Sequence, residues 1–346
     1  MRLYAHIVIV LLAAALTGCS LVDEDMRDCG TEYDLDYTLT LVTNVSTEIS
    51  TELETTISTE LELSAALAIR EYLKDVFTDY AHDVDLSFYD VVGDSLRMHH
   101  EEHIMDANQS SYTLYIPVHH YMHTALANIL DNEMIEVQDG ERCHYEKLHQ
   151  VEGDTLSSHT TGLFTARLPM DIQEGVSQNF NVHLYMANAA TAIVIDTVGS
   201  HIRDLKMFAT GFATDFSVCD SLYYFNSTPV FRMDKLPVEE SGGYCFAAVH
   251  FPSRKPADTK VIIDSDDPFV TPDAESPLWN LKAYVTLPDG TVTETVLGVT
   301  RALQAGELRV IKVKALENGA VQPGDPTVGV SITLDWGSGM EHHVEL

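Results

Sequence analysis

The chain has 346 residues, which is enough for about two domains of ordinary size. Its formal net charge is -33, and a surface this acidic repels nucleic acid and anionic lipid headgroups, so neither is expected as a partner. Hydrophobic residues make up 45% of the sequence and the acids are spread along it, which indicates a folded protein rather than a disordered acidic tail.

The N-terminal stretch has the organisation of an export signal. Arg2 precedes an apolar run that begins at Ile7 and is too short to span a bilayer, and the run closes with Leu16-Thr17-Gly18-Cys19. Small residues directly before a cysteine resemble the lipobox of bacterial lipoproteins, which implies that Cys19 is acylated, with palmitate for example, and begins the mature protein. We therefore predict a lipoprotein signal peptide over 1–18 and an acidic tether over 19–33. The alternative is an ordinary secretory signal with an incidental cysteine.

The sequence pattern of the first half of the remaining chain predicts a β-sheet with one helix packed on it. Apolar residues alternate from Asp34 onward, which predicts a half-buried strand over about 34–45. Thr59 followed by Glu62 forms a capping-box pattern and opens an apolar repeat at helical spacing, so we expect a helix over 60–79. Its apolar stripe is expected to pack on the sheet.

The second half reads as all β. Strand patterns restart after Glu174-Gly175 and continue to the final strand at 328–336, with a hairpin turn at Leu287-Pro288-Asp289-Gly290. These features predict an N-terminal β-sandwich domain over 34–173, with helix 60–79 inserted in it, and a C-terminal β-sandwich domain over 174–346.

Four cysteines remain once Cys19 is set aside, namely Cys29, Cys143, Cys219 and Cys245. Four cysteines in an oxidising envelope allow three pairings that sequence alone cannot separate. We favour a disulfide between Cys219 and Cys245, because they lie in neighbouring strand-like segments. Free buried thiols are the alternative.

Two histidine clusters raise the possibility of metal chemistry, and both lack the required context. The run His99-His100-Glu101-Glu102-His103 contains the H-x-x-E-H order of inverted zinc peptidases, but no helix surrounds it. In an extended chain residues 99 and 103 stand nearly 13 Å apart at about 3.3 Å per residue, which is too far for one zinc ion. We read this run, and the cluster His119, His120 and His123, as solvated polar segments. Asp264-Ser265-Asp266-Asp267 resembles half a calcium loop without its turn glycine. We expect no catalytic residue, no metal site and no cofactor.

The motifs together resemble the FimB/Mfa2 family of fimbrial anchor and minor subunits from Bacteroidales. The resemblance begins at Cys19 and the acidic spacer ending in Asp28-Cys29, and continues in Tyr112-Thr113-Leu114-Tyr115-Ile116-Pro117, with Tyr121 and Ala127-Asn128 after it. In the second half it rests on Phe180-Asn181-Val182-His183-Leu184, on Leu303-Gln304-Ala305-Gly306-Glu307 and on the terminal strand ending at Trp336. It implies a mainly β fold of two tandem transthyretin-like antiparallel β-sandwich domains and a structural, non-enzymatic role.

Two function classes follow from this resemblance. The first is a fimbrial (pilus) anchor or minor assembly subunit in cell adhesion, lipid-tethered to the outer membrane and joining fimbrial subunits or other envelope proteins by β-strand addition. We expect it to face the cell surface, and a periplasm-facing lipoprotein is the alternative. The second is a surface lipoprotein that binds a glycan or protein ligand through sandwich loops.

Overall fold

A computed structural model describes most of the chain. The described residues are 32–41, 58–77, 81–93, 95–104, 111–138, 140–174, 176–197, 201–238, 242–255, 277–324 and 328–336. Among them, no helix combines the length and the apolar character needed to cross a membrane.

The first half of the chain forms a sandwich from seven strands. Their order is β3-β2-β5-β8-β9-β1-β4, and β8 and β9 share only two residue pairs. The strands on either side of this junction form the two layers of the sandwich. These strands are β1 (Glu32–Leu41), β2 (Asp83–Asp90), β3 (Arg97–Ile104), β4 (Ser111–Pro117), β5 (His120–Ala127), β8 (Phe164–Asp171) and β9 (Gln178–Met186). Alternate residues of β2, such as Leu86 and Phe88, fill the space between the layers with Leu114 of β4 and Val182 of β9.

The second half forms another sandwich from two five-stranded sheets. Their orders are β15-β16-β10-β19-β20 and β14-β11-β17-β18-β21. The first consists of β10 (Ala189–Asp196), β15 (Asp234–Leu236), β16 (Gly243–His250), β19 (Leu308–Ala315) and β20 (Val321–Pro323). The second consists of β11 (Asp204–Thr210), β14 (Val230–Arg232), β17 (Trp279–Thr286), β18 (Val292–Val299) and β21 (Val328–Trp336). Trp279 and Phe212 lie in the core between the two sheets.

The two sandwiches share one pattern of strand pairing. In the first, β1 lies between an antiparallel neighbour, β4, and a parallel one, β9. In the second, β10 lies between antiparallel β16 and parallel β19. The predicted mainly β fold of two tandem sandwiches is therefore confirmed.

The terminal strand β21 extends the second sandwich beyond this shared pattern, because it pairs antiparallel with β18 at the edge of its sheet. The hairpin between β17 and β18 also matches the prediction, since Gly290 has a positive φ of 89° and donates to the carbonyl of Leu287.

The predicted boundary at residue 174 falls inside the first sandwich. The composition shift at Glu174-Gly175 marks the turn between β8 and β9, and β9 pairs with both β8 and β1. The chain enters the second sandwich only after Met186, where β10 begins at Ala189. We therefore propose a division at 187–188 in place of 174.

The single α-helix among the described residues, α1 (Glu60–Leu73), lies between the two sandwiches. The Thr59 side chain accepts a hydrogen bond from the Glu62 amide at 3.2 Å, as the capping pattern predicts, and the helix ends six residues earlier than the predicted 79. Its buried face belongs to the same core cluster as the first sandwich, while Tyr72 donates to Asp234 at 2.6 Å and Glu62 pairs with Lys312 at 2.7 Å. The helix therefore contacts the second sandwich as well as the first.

Candidate interaction surface

Several of the predicted features lie outside the described residues. These are the signal peptide over 1–18, the acylation site Cys19, the tether as far as residue 31, and the acidic loop at 264–267. The lipid anchor therefore stays a prediction.

A small fourth sheet links the two halves of the chain. Its order is β13-β12-β7-β6, with β6 (Ile135–Gln138) and β7 (Lys147–Gln150) from the first half and β12 (Asp215–Ser217) and β13 (Leu222–Tyr224) from the second. A short 3-10 turn, Cys143–Tyr145, precedes β7. The sheet brings together segments that are far apart in sequence, which pattern analysis of single strands did not anticipate.

A disulfide next to this sheet corrects the predicted cysteine pairing. Cys219 is bonded to Cys143, and their Cα atoms are 5.5 Å apart. Cys245 is free and buried, and burial raises the pKa of its thiol to about 12. The prediction of Cys219 with Cys245 is wrong because Cys245 lies in the core cluster beside α1, whereas Cys219 packs with Tyr89 on the outer face of β2.

The carboxyl group of Glu146 is buried beside the cluster that Tyr89 forms with the disulfide. Glu146 is only 3% exposed, and its Oε1 accepts a hydrogen bond from the Tyr89 hydroxyl at 3.0 Å. Its Oε2 has no hydrogen-bond partner within the described part of the chain. Burial raises the pKa of Glu146, and the negative charge of Asp85 acts in the same direction. Nothing in the local sequence marks Glu146 as buried.

The first histidine run forms an edge strand rather than the solvated polar segment we predicted. It lies in β3, where the register places Glu101 opposite Leu86, on the face of β2 that enters the core. The Glu101 carboxylate contacts His99 at 2.6 Å through one oxygen and His103 at 2.9 Å through the other. Charged residues that face inward on an edge strand disfavour pairing with another chain.

The three histidines of the second cluster, at the start of β5 and within it, lie in different environments. His119 contacts Asp90 at 2.8 Å and His120 contacts Asp171 at 2.7 Å, each in a partly exposed pair. His123 is instead completely buried, with Nδ1 3.0 Å from the Ser87 carbonyl oxygen, and burial lowers its pKa to about 4. Reading His123 as part of a solvated segment is therefore wrong, because it lies in a central strand between β2 and β8.

The edges of the sheets differ in how well they are protected. The outer strands β14, β15 and β20 have three residues each, and β3 carries the histidine and glutamate run. Strand β4 is a seven-residue edge without a charged residue, and it ends at Pro117. Its Leu114 and Ile116 are buried, whereas Thr113 and Tyr115 are exposed. Among the described residues no strand pairs with the outer side of β4, so its backbone groups there are unpaired beside an exposed, uncharged row of side chains.

The family of the chain is decided by its match to a family model. The model described as Fimbrillin-A associated anchor proteins Mfa1 and Mfa2 matches residues 29–229, which contain the whole first sandwich and the linking sheet. The chain belongs to this family. Membership in the Mfa1 and Mfa2 anchor family confirms the resemblance inferred from the motifs. Among curated proteins, none matches the chain.

Solved structures from Bacteroides and Porphyromonas species align with the chain. A candidate adhesin from Bacteroides ovatus aligns with a TM-score of 0.52 and 9% identity, covering 90% of this chain and 97% of the other. This likeness supports the fold alone. A candidate polysaccharide-binding protein from Bacteroides thetaiotaomicron aligns with a TM-score of 0.48 and 9% identity, covering 86% and 97%. The fimbrial anchor protein Mfa2 from Porphyromonas gingivalis aligns with a TM-score of 0.44 and 9% identity, covering 73% and 77%.

Proposed function

We propose that the chain is a non-catalytic fimbrial anchor or minor assembly subunit. The observation that carries this proposal is membership in the Mfa1 and Mfa2 anchor family over residues 29–229. The subunit is tethered to the outer membrane through a lipid on Cys19, facing the cell surface, and its partners are other fimbrial subunits. The lipobox-like Leu16-Thr17-Gly18-Cys19 sequence supports the tether.

The mode of assembly in this proposal is β-strand addition at β4. A partner strand that pairs along this edge gains main-chain hydrogen bonds, and side chains beside the edge add selectivity. The lack of charge in β4 supports this choice over β3, whose charged run disfavours pairing.

A charge placed on β4 tests the assembly mode. Thr113→Lys puts an ammonium on an exposed edge position, and we expect it to reduce the recovery of fimbrial subunits in an affinity pull-down from the envelope at least tenfold, which corresponds to about 1.4 kcal/mol. The fold should be unaffected, because exposed substitutions generally change stability by less than about 0.5 kcal/mol.

The matched control is Met98→Lys on β3, where the side chain is 56% exposed and the edge already carries charges. We expect this control to recover as many fimbrial subunits as the wild type. Equal recovery with all three proteins would contradict strand addition at β4. Recovery of a glycan or of a non-fimbrial protein in their place would favour the ligand-binding alternative.

A further inference from the structure

Two carboxylates stand directly opposite each other on neighbouring strands of the first sandwich. The register of β2 and β3 pairs Asp85 with Glu102, and the next pair along the face sets His100 opposite Ser87. Like charges directly opposite each other destabilise a strand pair. The two acids therefore create a position at which a bound cation would stabilise the pairing of β3 with β2.

The imidazole of His100 completes a three-residue cluster at this position. Its Nε2 lies 3.0 Å from Asp85 Oδ1 and 3.8 Å from Glu102 Oε1. One ligand atom from each of the three side chains lies within 4.8 Å of the other two. Zinc binds nitrogen and oxygen ligands at about 2.0–2.2 Å, so two ligand atoms of a tetrahedral shell are roughly 3.3–3.6 Å apart. The observed separations bracket this value.

The surroundings of the cluster suit a cation that enters from solvent. The side chains of Asp85, His100 and Glu102 are 22%, 30% and 72% exposed, so an ion has access. In the buried layer on the same outer face of β2, Glu146 adds an acidic group whose Oε2 has no described hydrogen-bond partner. The outer face of β2 therefore carries a buried acidic group in addition to the two carboxylates that flank the His100 imidazole.

We propose that Asp85, His100 and Glu102 bind one divalent transition metal ion, for which Zn²⁺ is the probe of choice. An imidazole with carboxylates suits zinc and its neighbours better than it suits calcium or magnesium, which prefer all-oxygen shells. The ion joins edge strand β3 to β2 and leaves a fourth position for water. The distance between residues 99 and 103, which argued against a zinc site within the histidine run, does not apply here. This site uses neither residue, and its ligand Asp85 lies on the adjacent strand β2.

A second cluster of metal-ligand residue types is a poorer site. His144, Cys219 and Asp220 also lie close together, but the Cys219 sulfur is bonded to Cys143 and is not a thiolate. The exposed pair His120 and Asp171 is not part of a three-residue cluster among the described residues, so it serves as a matched control.

Isothermal titration of the purified full chain in detergent with Zn²⁺ tests the proposal. We expect one-to-one binding by the wild type, a dissociation constant raised at least about 100-fold in His100→Ala, and no change in His120→Ala. Because His100→Ala could disturb β3, Glu102→Gln provides a variant of nearly unchanged shape, and it too should bind Zn²⁺ more weakly. Failure of the wild type to bind stoichiometrically, or binding that both His100→Ala and Glu102→Gln leave unchanged, would overturn the proposal.

Discussion

Replacing Cys143 with alanine is expected to lower the free energy of unfolding by about 2–5 kcal/mol. The disulfide closes a long loop, since Cys143 and Cys219 are 76 residues apart, and the chain-entropy relation gives roughly 4 kcal/mol for a loop of this size. The same bond fixes the linking sheet over Tyr89 and the buried Glu146. Urea-induced unfolding followed by circular dichroism measures the loss.

Two comparisons make this result specific to the disulfide. Cys219→Ala should lose as much stability as Cys143→Ala, and the double variant should lose no more than either single one, because all three remove the same bond. Cys245→Ala removes a free buried thiol and should cost much less. Mass spectrometry of the unreduced digest should find Cys143 linked to Cys219, and a peptide that links Cys219 to Cys245 would contradict the pairing.

Acid is expected to destabilise the fold through three buried histidines. The pKa of His123 is lowered to about 4, and those of His159 and His250 are lowered to about 3, in each case chiefly by burial. The unfolded chain takes up protons near the ordinary pKa of about 6.5, whereas the folded chain does not, so stability is complete above that pH and falls as the pH drops toward 4 and then 3. At pH 5 each histidine contributes a loss of about 2 kcal/mol.

A comparison of variants separates this effect from the general charge of the protein. Lowering the pH also relieves repulsion among the many surface acids, so the wild type alone does not report on the histidines. His250 Nδ1 donates to the Phe251 carbonyl oxygen, Nε2 of the neutral ring accepts from the Thr191 hydroxyl, and the ring stacks on Phe212. Between pH 7.5 and pH 5, His250→Gln should lose about 2 kcal/mol less stability than the wild type.

Two outcomes would count against the role of the buried histidines. The first is an equal loss of stability in His250→Gln and in the wild type. The second is a set of proton NMR titrations in which the imidazoles of His123, His159 and His250 titrate near pH 6.5 in the folded protein. The NMR measurement remains decisive if His250→Gln does not fold.

Local patterns in the sequence were sufficient to predict most of the fold. Alternation of apolar residues identified the strands, and the Thr59 and Glu62 capping pattern placed the start of α1, because both signals depend on neighbours a few residues apart. The last strand was predicted over its observed span of 328–336. The helix end was placed too late, because Val76 and Phe77 pack as apolar residues beyond the last helical turn at Leu73.

Features that depend on contacts between distant segments could not be predicted in this way. The β9 pairing with β1 joins residues more than 130 positions apart, and this pairing is why we propose a boundary at 187–188 in place of 174. The Cys143 to Cys219 bond depends on β7 pairing with β12, which no local pattern encodes. The cluster of Asp85 with Glu102 requires the register of two strands, which sequence alone left undefined.

The most direct test of a lipid-tethered fimbrial subunit is to measure where fimbriae are found in cells that carry Cys19→Ala. Metabolic labelling with a clickable fatty acid should mark the wild type and the control Cys29→Ala but not Cys19→Ala. Quantification of fimbrial subunits in the cell pellet and in the medium should show them shifted to the medium only for Cys19→Ala. Persistent label on Cys19→Ala, or fimbriae that stay with the cells in wild-type amounts, would contradict the proposed anchor.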